Sequence, residues 1–156
     1  MTELRSREYD PPSMEESTAD GRRSTLTAAL ARLVPPGAGP GAVEAGAVDY
    51  VVRRLARDPG APSVMAALDL LDRLALDHGG SLFAGLEPTR QDEILHRVAQ
   101  GSGPEGVQVL RLLVLLALEG SFCHPARGGN HGGTGWKFAG LDTPETHSDL
   151  PRCRAS

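Results

Sequence analysis

From Val107 to Leu118 the chain reads VQVLRLLVLLAL, in which only Gln108 and Arg111 are polar. A helix that is apolar almost all round has to be touched by neighbours on most sides. This segment is therefore expected at the centre of the fold. A bilayer would also enclose it, but the uncharged run between Arg111 and Glu119 is far short of the roughly 20 apolar residues that a membrane span needs. It leads at once into LEGSFCHPARGGNHGGTGWKFAG, Leu118 to Gly140, a glycine-rich stretch that holds the only tryptophan, Trp136. That stretch is either a cradle for a ligand or a surface for another protein.

The other segments are organised around this centre. Aromatic residues make up only 4% of the chain, so the core has to come from Leu, Val and Ala. That palette suits helices better than strands. The expected fold is all-α: a compact bundle of about five helices with a central apolar helix, followed by the Gly-rich, Trp-containing loop. Residues 1–22 mix charge with Pro, Ser and Thr and have no apolar period, so they read as a disordered arm. Residues 23–141 form the helical domain, and 142–156 a polar tail. The first helix is expected from Thr25 to Val34, capped by Ser24 and stopped by Pro35-Pro36. The second covers Val43 to Arg57, with Val48, Val51, Val52, Leu55 and Ala56 inward. The third starts near Pro62-Ser63, carries Val64, Ala67, Leu68, Leu71, Leu74 and Ala75 on one stripe, and ends at His78-Gly79-Gly80. Leu82, Phe83 and Leu86 are expected against the core. Pro88 opens the fourth helix, with Ile94, Leu95, Val98 and Ala99 inward and His96 in solvent.

Charge and cysteine content narrow the function. The formal net charge is −4 and Lys137 is the only lysine, so no basic run supports nucleic-acid binding. Cys123 and Cys153 make no disulfide framework; reduced thiols and a cytoplasmic location are expected. Arg22-Arg23 is a twin arginine, but Arg32 interrupts the apolar run behind it, as an export signal would not allow. Leu26, Leu30 and Leu33 read instead as one face of a helix in the mature fold. Export to the periplasm together with a partner is the alternative.

Candidate chemistry clusters at the loop. Gly128 to Gly133 resembles a phosphate cradle in composition, yet it follows a helix and opens no obvious one. Cys123, His124 and His131 have zinc-ligand chemistry in a spacing that matches no common zinc module. Glu119, at the end of the apolar helix, is either a general base or the partner of loop amides, Arg127 or Lys137. A self-sufficient metal- or thiol-dependent enzyme built on Cys123, His124, His131 and Glu119 is thus one reading. The other is a docking surface: Trp136, Lys137 and Phe138 on a glycine-rich backbone suit an interface anchor. Trp136 folding back onto its own core remains the simpler possibility.

The stretch also resembles the closing signature of the gluconate 2-dehydrogenase subunit 3 family, the small or gamma subunit of flavin-dependent sugar dehydrogenases. Leu118-Glu119-Gly120, Pro125, Gly128-Gly129-Asn130 and Gly135-Trp136-Lys137 fit that pattern, and Gly140 closes it. Upstream, LVPPGAGPGAVEAGAVDYVVRRLA and LFAGLEPTRQDEILHRV are similar as well, so the likeness runs from Leu26 to Leu141. His124 stands where the pattern has Asp, Arg127 where an aromatic is common, and Leu141-Asp142 in place of Pro-Gly. The resemblance implies a chain with no catalytic, cofactor or metal residues of its own. It implies a large partner of the glucose-methanol-choline oxidoreductase type that holds FAD and oxidises a sugar or polyol, with a cytochrome subunit taking the electrons in exported members. The interface candidates it marks are Glu119, Pro125, Gly128, Gly129, Asn130, Gly135, Trp136, Lys137 and Phe138.

Overall fold

Six α-helices and three single 3-10 turns make up the computed structural model, which describes residues 14–57, 60–101 and 103–141; no strand forms among them. The helices are α1 (Met14–Leu33), α2 (Ala47–Leu55), α3 (Ala61–Gly79), α4 (Pro88–Gly101), α5 (Gly103–Phe122) and α6 (Thr134–Phe138). The fold is all-α, as expected. The apolar segment is indeed the spine: α5 packs against α1, α2, α3, α4 and α6, and buries Leu113, Leu116 and Ala117. Its enclosure is incomplete, however. Val107, Leu115, Leu118 and Phe122 lie on one outward arc and stay exposed. None of the described helices is long and apolar enough to cross a membrane.

Two helix starts differ from the sequence expectation, each for a tertiary reason. The first helix begins at Met14 rather than Thr25, so the expected arm is already helical from that point. Arg22 and Arg23 hold this polar turn against the fold through Asp69 of α3 at 3.2 Å and Asp49 of α2 at 2.6 Å. Ser24 is therefore no cap; its hydroxyl donates to the Asp20 carbonyl at 2.9 Å within the helix. Residues 1–13 and the polar tail over 142–156, with Cys153, lie outside the described residues. The second helix starts at Ala47, not Val43, because Gly46 has a φ of 82°, which no α-helix continues through. Its buried side is Ala47, Val48, Tyr50 and Val51, whereas Val52 and Ala56 are exposed.

The third helix and its glycine stop match the expected stripe, Leu74 being partly rather than fully buried. Between α3 and α4, Phe83 is fully buried, but Leu82 points outward. Ala99 is exposed too; the buried residue that completes the inner face of α4 is Gln91, while Ile94, Leu95 and Val98 are inward and His96 is exposed as expected. Gln91 explains how this corner can be buried. Its Nε2 donates to the carbonyls of Phe83 at 3.0 Å and Leu86 at 3.1 Å. The amide of Phe83 in turn donates to Asp72, which also accepts from the buried Thr25 hydroxyl. A buried turn cannot leave its backbone groups unpaired; Gln91 and Asp72 meet that requirement here, and Thr25 holds Asp72 in place.

Arg32 of α1 grips Asp92 of α4 through two hydrogen bonds, at 2.8 and 2.5 Å. The guanidinium hydrogen bonds hold the Asp92 carboxyl below its ordinary range. A lowered folded-state value adds stability above the unfolded value, near pH 4, and loses it as pH falls through the folded one. Asp92→Asn should therefore lower stability at pH 7, and the gap to the parent protein should close in denaturant melts as pH falls below the ordinary carboxylate range. Gln91→Leu leaves the Leu86 carbonyl without its donor and the Phe83 carbonyl with only the Leu86 amide, and should cost about 2 kcal/mol in urea unfolding with an unchanged m-value.

Candidate functional site

A helix ends with carbonyls that have no partner inside it. At the end of α5 these groups are buried by the chain that follows, so donors must be supplied from that chain. The Gly120 carbonyl accepts from the Asn130 amide at 2.7 Å. The Phe122 carbonyl accepts from the indole Nε1 of Trp136 at 2.7 Å, and the Cys123 carbonyl from Asn130 Nδ2 at 3.0 Å. Asn130 Oδ1 then accepts from the Gly135 amide at 2.8 Å. Asn130 is 0% exposed and is the one non-glycine among the described residues with positive φ, at 46°. Asparagine tolerates that conformation better than most residues, and here its side chain serves both as donor and as acceptor.

The glycines follow from the same closure. A Cβ on Gly129 would sit 2.2 Å from the Gly120 oxygen, and one on Gly135 would sit 2.0 Å from the Ser121 oxygen. Both backbones lie directly on the end of α5. The stretch is also more regular than the expected loop, with 3-10 turns over Pro125–Arg127 and His131–Gly133 and then α6. These close approaches argue against a phosphate cradle, because Gly129 and Gly135 face carbonyl oxygens that would repel an anion.

A second layer of contacts fixes the loop to α2. The His131 amide donates to the Ala45 carbonyl at 2.9 Å. Its ring Nε2 stands 3.2 Å from the Gly128 carbonyl and 3.4 Å from Asp49. Glu119 finds neither loop amides, nor Arg127, nor Lys137. It is ion-paired with Arg54 and accepts from the Tyr50 hydroxyl at 3.2 Å. Sequence reasoning missed Tyr50 and Arg54. Their four-residue spacing puts them on one side of α2, but nothing local says that this side meets the end of α5. Together with Phe122, Cys123 and Arg127 these three residues line a shallow depression of ≈ 610 Å³.

The residues of the enzyme reading are turned to different partners. Cys123 is half-buried and its thiol contacts the Gly120 carbonyl at 3.6 Å. His124 Nδ1 accepts from the Ala126 amide at 3.2 Å, and its ring stands edge-on to Trp136 with centroids 5.5 Å apart. His131 and Glu119 are engaged with α2 as described. Among the described residues, no group of three or more His, Cys, Asp or Glu side chains is placed to hold a metal ion.

The interface candidates separate into two sets. Gly128, Gly129, Asn130 and Gly135 are buried, and Pro125 and Trp136 half-buried. Glu119, Lys137 and Phe138 are exposed. The Phe138 ring lies over Gly39, between Pro36 and Pro40 in the segment after α1, where an added Cβ would come within 2.5 Å of it.

A family model described as Gluconate 2-dehydrogenase subunit 3 matches residues 20–142. No curated protein and no solved structure matches the chain.

Trp136 is the sole tryptophan, so its fluorescence reports whether the loop is seated on α5. Gly135→Ala should unseat it: the emission shifts to the red while far-ultraviolet circular dichroism keeps its helical form. Asn130→Ala loses two side-chain hydrogen bonds and a tolerated backbone conformation, and should cost roughly 2–4 kcal/mol in denaturant melts. An unshifted emission in Gly135→Ala would contradict the packing of Gly135 on Ser121.

Proposed function

Because the chain belongs to the gluconate 2-dehydrogenase subunit 3 family, we propose that it is the non-catalytic accessory subunit of an oxidoreductase complex. Its partner is a large FAD-dependent catalytic subunit of the glucose-methanol-choline type, which oxidises a sugar, polyol or glycoside hydroxyl. The small chain binds this subunit and stabilises its flavin-loaded fold; the flavin belongs to the partner. The observation that carries this reading is how the signature residues are used. Asn130 and Trp136 spend their polar groups on the end of α5, and so build a rigid shape instead of a reaction centre. A surface that is already ordered meets less of the entropic cost of association, which favours a permanent partner. We put the complex in the cytoplasm. In support, both arginines of the twin pair are tied into the helical domain by Asp69 and Asp49.

The test is expression of the large flavoprotein subunit from the same organism with and without this chain. Alone, the large subunit should be insoluble or flavin-poor. With the small chain it should be soluble, yellow and active on its sugar. If the large subunit is equally soluble and flavin-loaded by itself, or if the small chain alone oxidises the sugar, the proposal is wrong.

A further inference from the structure

Among the apolar surfaces open in the described residues, two present the most aliphatic side chains. One is a groove of ≈ 750 Å³ between α1, α2 and α3, lined by Leu26, Val52, Leu55, Met65 and Leu68 among others. The other is the outward arc of α5, where Leu115, Leu118 and Phe122 are 56%, 42% and 40% exposed. Their spacing of three and four residues keeps them on one side of the helix, with Arg111 a turn before Leu115 on the same side.

Charge distinguishes the two. At the rim of the groove Arg22 and Arg23 are already neutralised by Asp69 and Asp49. The arc of α5 is different. Arg127 shares the depression beside it with Phe122, and the one carboxylate lining that depression, Glu119, is taken by Arg54. Arg53 lies beside them, packed on the backbone of Gly128. Arg53, Arg111 and Arg127 have no acidic partner among the described residues. The foot of the arc is also the part of α5 fixed by Asn130 and Trp136, so its cations stand on a set backbone.

We propose that this outward arc of α5 is where the catalytic subunit docks. The surface that fits it is an apolar patch rimmed by aspartate and glutamate. Leu115, Leu118 and Phe122 supply the dry centre. Arg53, Arg111 and Arg127 supply guanidinium forks that pair with carboxylates and fix the orientation. This inference rests on the accessory-subunit reading and adds to it the face and the chemistry of the contact.

The test co-expresses the tagged full-length chain with the large flavoprotein subunit and measures co-purified flavin per small chain. Leu115→Glu with Leu118→Glu should lower that ratio about tenfold or more, as loss of an interface centre does. Val52→Glu, in the groove of α1 to α3, should leave it unchanged. The parent complex should release flavoprotein as sodium chloride rises, and Arg111→Glu with Arg127→Glu should lower recovery already at low salt. Unfolding followed by Trp136 fluorescence checks that each variant is folded; should the double leucine variant unfold early, Leu118→Asn alone replaces it. Full recovery with the α5 variants, or loss with Val52→Glu alone, overturns the docking face and leaves the accessory role standing. A complex indifferent to salt overturns the acidic rim. A parent chain that brings down no flavoprotein removes both proposals.

Discussion

The end of α5 sets the terms for the rest of the molecule. A spine helix that all the other helices touch cannot open its last turn freely to water, yet that turn leaves carbonyls unpaired. The chain answers by doubling back and laying Asn130 and Trp136 across the helix end. Several other features follow from that return. Backbone must lie on backbone, which requires glycine at 129 and 135. The returning strand of chain passes the start of α2, where the His131 amide takes the Ala45 carbonyl and its ring covers Gly46. That contact shortens α2, and the same helix then reaches Glu119 through Tyr50 and Arg54.

The same geometry sorts the charges. The chain as a whole is acidic, but several carboxylates of α3 and α4 are used internally: Asp69 and Asp92 hold α1, and Asp72 closes the turn at Phe83. Around the end of α5 the balance is reversed. Arginines of α2 and the 3-10 turn over Pro125–Arg127 outnumber the carboxylates, and Glu119 is already paired. Net charge alone, at −4, hides a cationic face beside an apolar arc.

Much of the fold was legible in the sequence because it depends on local periodicity. The apolar run named the spine, and the glycines after His78 stopped α3 where expected. What was not legible depends on partners far along the chain. Residues 14–24 have no apolar period, and their helix is held by ion pairs to Asp69 and Asp49 that no local pattern displays. Gly46 looks like any glycine in a helical run until His131 is found above it. The site was half legible. Its residues were picked out, but Asn130 and Trp136 turned out to serve the helix end, and the partner of Glu119 came from α2. Gln91 shows the same limit, since a polar residue reads as surface until two buried carbonyls need it.

The division between inner and outer loop residues bears on what the family pattern encodes. Positions that match it at Gly128, Gly129, Asn130 and Gly135 are buried, and they define the shape of the helix end. Positions that depart from it at His124, Arg127 and Leu141 are exposed. Leu118, Glu119, Lys137 and Gly140 are exposed residues that nevertheless match. The buried matches specify the shape of the helix end, and the exposed positions set the chemistry of the surface around it. Arg127 is a case in point. An aromatic at that position would enlarge the apolar area beside Phe122, whereas a guanidinium there selects for a carboxylate opposite. On the proposed docking face, one substitution on an unchanged backbone therefore changes the chemistry that a partner has to match.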